Sequence, residues 1–275
     1  MLRSPRTVSI RYPFRLVASL TGYGVIAFVV WWQLTANYGG HLPPDLAIWD
    51  RVGDQVMQGT SPYAFEGVDW SALFFYAPPW ALAFGLTSWL PPIVQAGLVF
   101  ALEMLALRYI AGSWLRVGYF GLFPITGAEL GNGSFNLVVA ASIAAAMRGD
   151  GRLAAWCSLA KLSPILAVRD VRRAGVVLVV AGLVTLPVLA WWGDWIRLLT
   201  STNATFAIGY QIWWPGRVAA AVILMLLVRR PWARGLAAAI AIPALYSYSI
   251  VLLYPLVALF SRPPAEQAGT QGSSG

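Results

Sequence analysis

The chain has 275 residues, 59% of them hydrophobic and 11% charged, where a typical soluble domain carries about 25% charged residues. Mean hydropathy is +0.66, and several windows reach the roughly 18 to 20 apolar residues that span a bilayer core, which excludes a soluble globular domain. The net charge of +8 does not indicate nucleic acid, because the cations punctuate the ends of apolar runs as cytoplasmic loops do. One cysteine, Cys157, rules out an intrachain disulfide framework, and with a single histidine it leaves no zinc ligand set.

Taken in chain order, the basic start "MLRSPRTVSIRYPFR" leads into an apolar run too long for an ordinary signal-peptide core and without a small-residue cleavage site. It reads as a retained start-transfer anchor. The apolar pattern then predicts spans at 14–35, 72–90, 92–111, 117–130, 134–147, 152–168, 174–192, 217–228 and 235–260. The expected fold is all-α: a polytopic transmembrane helical bundle of about nine spans, with eight as the alternative. Residues 1–262 form a single transmembrane domain, and the Pro/Gly/Ser-rich stretch 263–275 is expected to be a disordered tail.

Charge placement sets the expected orientation. Arg3, Arg6, Arg11 and Arg15 put the N-terminal end in the cytoplasm, which leaves 36–71 and 193–216 outside. The clusters "RDVRR" (169–173) and "RRPWAR" (229–234) then fall inside, whereas Arg116, Arg148 and Arg152 run against the scheme. Both external segments are rich in tryptophan, a residue of the membrane interface. Near-exclusive use of arginine, with abundant alanine and glycine, suggests a bacterial inner-membrane protein from a GC-rich genome.

The first external segment, "GGHLPPDLAIWDRVGDQVMQGTSPY", carries three aspartates and the chain's only histidine, His41. Leu46, Trp49, Val52 or Gly53, and Val56 recur at helical spacing, with Asp50 and Asp54 paired i,i+4 on the opposite face. This predicts a short amphipathic helix on the outer membrane surface, with Asp45 at the N-cap position and Gly59 and Pro62 ending it. Asp45 has two readings, a helix cap or a functional acid, while Asp50 and Asp54 are expected to face water.

Four ionisable residues fall inside predicted spans: Glu103, Arg108, Glu129 and Lys161. Each costs about 2.5–3.5 kcal/mol at a span centre unless paired, hydrated or functional. Glu103 and Arg108 share a span, Arg108 near enough its end to snorkel, and a structural salt bridge within the bundle is expected to account for both. Glu129 opens "ELGNGSFN", whose glycines interrupt two short spans. Broken backbone at such depth is tolerated only against protein or an aqueous cavity, so the break marks a candidate site. Lys161 is the one lysine among 19 cations, with Pro164 three residues on. A lysine binds phosphate as a compact point charge.

The ordered set "PPDLAIWDRVGDQVMQGTSPY", "FFYAPPWAL", "GNGSFNLVVAA" and "LAKLSPILAV" resembles the polyprenol-phosphate-mannose-dependent mannosyltransferases of the GT-C superfamily. The nearest group is that of the α-1,2-mannosyltransferases of phosphatidylinositol mannoside and lipoarabinomannan synthesis. The likeness covers about residues 14 to 170 and rests on the order of the motifs, none of which is specific alone. It implies a seven-span module over 14–192, an external loop at 193–216 and two further spans over 217–260, fewer than the family commonly has. It assigns the catalytic base to Asp45 and makes Gly59, Pro62, Tyr63, Tyr76 and Pro78 supports of loop and cavity. Asn132 and Asn136 would line the site, and Lys161 would lie near the donor phosphate.

The implied chemistry is the transfer of a sugar, mannose in the family, from a polyprenyl-phosphate donor to a lipid or glycan acceptor at the outer face. Glycosyl transfer passes through an oxocarbenium-like state. Phosphate leaves without a proton, so a single carboxylate base suffices, with cations to hold the departing anion. Asp45 is the candidate base; Lys161, Arg217 and Arg116 are the candidate phosphate-binding cations. His41, Trp49, Tyr63, Tyr76, Glu129, Asn132, Asn136 and Tyr210 are candidates for the substrate cavity. The chain shows no P-loop or dinucleotide fingerprint, and neither a metal nor a cofactor is expected. Expected partners are the lipid-linked donor, the acceptor and membrane lipids, with no nucleic acid. Two other classes stay open: a transporter or lipid flippase, which also uses broken helices and buried charges, and a non-catalytic subunit of the same fold.

Overall fold

The computed structural model describes residues 11–39, 41–63, 73–200, 214–242 and 247–260. The described chain is all-helical. Helix α1 (Arg11–Trp32) continues into a π-helical turn, Gln33–Asn37. Then come α2 (Pro44–Met57), α3 (Pro78–Gly85), α4 (Pro92–Ala111), α5 (Trp114–Gly121), α6 (Pro124–Asn132) and α7 (Asn136–Met147). Helix α8 (Arg152–Lys161) gives way to a 3-10 segment, Ser163–Ala167, followed by α9 (Val171–Val184) and α10 (Ala190–Thr200). The last part holds α11 (Trp214–Leu227), α12 (Pro231–Ile240), a 3-10 stretch Ser247–Leu253 and α13 (Tyr254–Phe260).

Among the described residues, two helical stretches are long and apolar enough to cross a membrane, Pro13–Asn37 and Pro92–Ala111. They coincide with the first and third predicted spans. The helices at the remaining predicted spans fall short of that length, α6 and α7 meeting it only together as one bent pair, and four of these spans are cut short or divided at identifiable points. In place of a span at 72–90 there is the eight-residue α3, opened by Pro78 and Pro79. Beyond it the Thr87 and Ser88 hydroxyls donate to the carbonyls of Phe84 and Gly85, and Pro91 and Pro92 start the next helix. Pro124 divides 117–130 into α5 and α6. The sixth predicted span stops being α-helical at Lys161, and the ninth is divided between α12 and the Ser247–Phe260 segment. Apolar composition alone does not distinguish one long helix from two short ones.

Membrane association follows from the surface as well as from length. Phe14 (75% exposed), Ile93 (78%), Val171 (76%) and Leu227 (78%) belong to a broad set of large apolar side chains facing outward. A surface of this kind is suited to lipid.

A seam of small residues brings α5 and α6 alongside α1. A Cβ on Gly22 would overlap the Gly118 carbonyl, one on Gly118 would overlap Ser19, and one on Gly131 would overlap the Gln33 side chain. Close backbone approach of this kind drives helix association in lipid, where apolar burial contributes little. At the near end Tyr23 donates to the Trp114 carbonyl at 2.8 Å. The far end, Gly131 and Asn132, therefore lies beside the end of α1 and the start of α2. Helix α4 packs on α5, α6 and α7, and the Arg148 guanidinium after α7 stacks 4.5 Å from the Tyr109 ring. Tyr254 closes the bundle, its hydroxyl 2.6 Å from Thr126 Oγ1 and its ring tilted against Phe120 at 4.5 Å between centroids.

Substituting Gly118→Val should lower the thermal midpoint in detergent by the equivalent of about 1–3 kcal/mol or more, through forced separation of α1 and α5. Gly24→Ala, where a Cβ meets nothing within 4 Å, should leave the midpoint unchanged or slightly raised. Equal melting of the two variants would refute the seam as the determinant of this packing.

Candidate functional site

The glycines of "ELGNGSFN" do break the chain: the axes of α6 and α7 differ by 110°. Gly133 (φ 69°) ends α6, and Phe135 enters the left-handed region at φ 60°, which costs a non-glycine residue energy. The Phe135 ring is held between Trp49, at 4.4 Å between centroids, and Trp80, at 5.5 Å. The broken backbone is closed by Glu129, fully buried in α6. Its carboxylate accepts from the Ser134 hydroxyl, from the Asn136 N–H at 2.8 Å and from Asn136 Nδ2 at 3.1 Å. A carboxylate thus takes up two side-chain donors and the first backbone donor of α7.

Asp45 meets the same break from the other side. Pro43 is the N-cap of α2 and Pro44 its first residue, so Asp45 lies within the first turn and is not the cap. Proline at N1 moves the helix start two residues earlier than an aspartate cap would. The side chain is thereby released from capping, and its Oδ2 accepts from Asn132 Nδ2 at 3.3 Å. Asn132 Oδ1 in turn accepts from the Tyr38 hydroxyl at 3.2 Å. Burial raises the Asp45 carboxyl above its ordinary value, and the Lys161 charge pulls it partly back. Asp45, Asn132, Asn136, Glu129 and Lys161 are therefore brought together.

Lys161 is the last residue of α8, where the negative end of the helix favours a cation. Its ammonium lies 6.0 Å from the Tyr76 ring centroid and in the fields of Asp45, Glu129 and Glu103. The next residue, Leu162, has φ 51°. Among the described residues, the non-glycine positive-φ positions are Phe135 and Leu162. They adjoin Asn136 and Lys161, and backbone strain of this kind tends to gather at functional sites.

The wall is aromatic. Trp49 stacks on Phe84 at 4.9 Å and tilts against Tyr76 at 6.5 Å. Tyr76 donates through its hydroxyl to the Ser134 carbonyl at 3.2 Å, and its own carbonyl accepts from buried Tyr63 at 2.9 Å. The backbone on either side of Tyr76 is pinned by Ala77 N–H to the Leu159 carbonyl and by Trp195 Nε1 to the Phe75 carbonyl.

Other expected site residues lie elsewhere or have local tasks. Arg217 donates to the carbonyls of Ile240 and Ile242 at 3.1 and 2.7 Å, which fastens α11 to the end of α12. Arg116 is in the first turn of α5, where its N–H is capped by Ser113; among the described residues no hydrogen bond or ion pair joins it to the Asp45 cluster. His41 is exposed, and Tyr210 lies outside the described residues. Asp54 is exposed as expected, but Asp50 accepts from buried Gln95 at 3.1 Å, so it does not simply face water. The expected Glu103–Arg108 pair is absent among the described residues. Arg108 lies over the Trp114 ring at 5.9 Å, while Glu103 turns inward to Glu129. Tyr38 and Ser134 belong to the site and were not picked out from the sequence. Ser134 stood within the broken motif; Tyr38, at the end of an apolar run, gave no signal.

Compared with known protein families, characterised proteins and solved structures, the chain matches none. Fold and site together define an all-α, membrane-associated protein. At its helix break an acid on an amphipathic helix faces a buried carboxylate and a single lysine.

The raised Asp45 carboxyl has a consequence for stability. A carboxyl whose folded-state value lies above its unfolded value contributes stability at low pH that is lost as pH rises through the folded value. At neutral pH Asp45 therefore works against folding, and Asp45→Asn should melt at or above wild type. The gap should close as pH falls below the ordinary carboxylate range near 3.8. A lower neutral-pH midpoint for Asp45→Asn in thermal melts would show that the carboxylate stabilises the fold instead.

Proposed function

We propose that the protein is a membrane glycosyltransferase that moves a sugar from a polyprenyl-phosphate donor to a hydroxyl of a lipid or glycan acceptor, with Asp45 as base. The observation that supports it most is the position of Asp45. It is a desolvated carboxylate freed from helix capping, held by Asn132, which Tyr38 in turn orients, beside an aromatic wall and a single lysine. The ordered motif resemblance to GT-C mannosyltransferases supplies the substrate class, with mannose as the sugar.

In this reading Asp45 takes the proton of the acceptor hydroxyl as its oxygen bonds to the anomeric carbon. The bond from that carbon to the phosphate oxygen breaks with inversion, and the electron pair leaves on the polyprenyl phosphate. Lys161 stabilises the departing anion as a fixed point charge. The exposed, apolar flanks of α1 and α4 are suited to the prenyl chain. The transfer takes place at the outer face of the inner membrane of a bacterium, the side to which the arginine pattern assigns the α2 segment.

With purified protein, polyprenyl-phosphate mannose and an acceptor lipid, free polyprenyl phosphate should be released. Asp45→Asn should reduce the rate by about 10²–10⁴-fold, the usual worth of a positioned base. Lys161→Ala should reduce it by about 10²–10³-fold, and Asp54→Asn should leave it unchanged. Retained turnover in a folded Asp45→Asn protein would remove Asp45 from the mechanism. Movement of substrate across liposomes without a new glycosidic bond would identify a transporter instead.

A further inference from the structure

Glu103 is the one acid of the cluster with no task in this scheme, and its surroundings are unusual. It is fully buried in the middle of α4, and neither carboxyl oxygen meets a hydrogen-bond donor. The polar group it faces is the carboxyl of Glu129, itself fully buried, and the Phe135 amide lies close by without hydrogen-bond geometry. Two ionised carboxylates do not share a dry contact, because neither can donate and their charges repel. The asymmetry between them locates the missing hydrogen. Glu129 already accepts from Ser134 and twice from Asn136, the pattern of an ionised carboxylate, whereas among the described residues no donor meets Glu103.

We propose that Glu103 carries a proton at neutral pH and donates it to Glu129 in a shared acid–carboxylate bond, so that the buried pair holds one negative charge. Glu103 is then a positioning residue: its O–H is a further donor to the carboxylate that closes the α6–α7 break. The charged or titratable groups around the pair are Lys161, Asp45 and, toward Glu129, Tyr254. With Glu103 neutral, Lys161 balances Glu129. A free proton is the ligand, and the pair is its binding site. The proposal rests on the geometry of the two carboxyls and does not require the transfer reading.

Infrared spectra of the full chain in lipid nanodiscs at neutral pH test this directly. The expected result is the carbonyl stretch of one protonated carboxylic acid, shifted by exchange into D2O, present in wild type and Asp45→Asn and absent in Glu103→Gln. The amide of Glu103→Gln still donates to Glu129, so its melting temperature should stay close to wild type, while Glu103→Leu, which removes the donor, should melt lower. Absence of the band from wild type would overturn the proposal. So would its loss in Asp45→Asn, which would assign the proton to Asp45. Equal or raised melting temperatures for Glu103→Gln and Glu103→Leu would show that Glu129 gains nothing from a donor at position 103, which would overturn the positioning role. A wild-type midpoint raised by sodium ions, with no protonated band, would replace the proton by a metal cation.

Discussion

The arrangement of this protein depends on one acceptor, the Glu129 carboxylate, which gathers the Ser134 hydroxyl and both donors of Asn136. A chain turned through 110° between two helices strands the first backbone N–H groups of the second helix, which then need acceptors from elsewhere. Closing the turn with a carboxylate satisfies the first of them but brings a negative charge into an apolar core. That charge then requires company. Lys161 supplies the opposite sign, and α8 has to end where the lysine is needed. The aromatic side chains complete the enclosure: Phe135 can hold its left-handed backbone because Trp49 and Trp80 grip its ring.

How much of this was legible in the sequence depended on whether the signal was local. Helix α2 was readable from the spacing of Leu46, Trp49 and Val52, all of which are buried. The α6–α7 break was readable because Gly-Asn-Gly interrupts an apolar run, and Lys161 stood out as the only lysine. The start of α2 was misplaced by a residue or two because Pro44 competes with Asp45 for the role of helix initiator, and proline at N1 prevailed. The length of the helices was not legible. Hydropathy sums apolar residues but does not register that Pro124, or the hydroxyls of Thr87 and Ser88, can end a helix within an apolar stretch.

Partner choice was the least legible feature. Glu103 and Arg108 share α4 and suggest a pair by proximity in sequence. In the fold the arginine reaches the Trp114 ring and the acid turns to Glu129, on a different helix. Arg217 likewise was a candidate phosphate-binding cation, yet its guanidinium donates to two carbonyls at the end of α12. A half-buried arginine with five donors readily satisfies backbone carbonyls, whereas a lysine at a helix end keeps a compact charge for whatever comes near. The residue type therefore carried more information than the position did.

The charged groups of the site share a rule, which is that each reaches a helix end of opposite sign. Asp45 is in the first turn of α2, where exposed N–H groups favour an anion. The Glu129 carboxylate reaches across the break to the first N–H of α7, and Lys161 closes the C-terminal turn of α8. Four short helices, α2, α6, α7 and α8, thus deliver their ends to one place, which two long uninterrupted spans could not do. The brevity of these helices and the presence of the site have one cause. A helix end costs unsatisfied backbone groups in an apolar medium, and ionised side chains cost desolvation there. Placed together, each relieves the other. The residual imbalance falls on Asp45, whose carboxyl remains raised even with Lys161 nearby. That is the state in which a carboxylate is most ready to accept a proton.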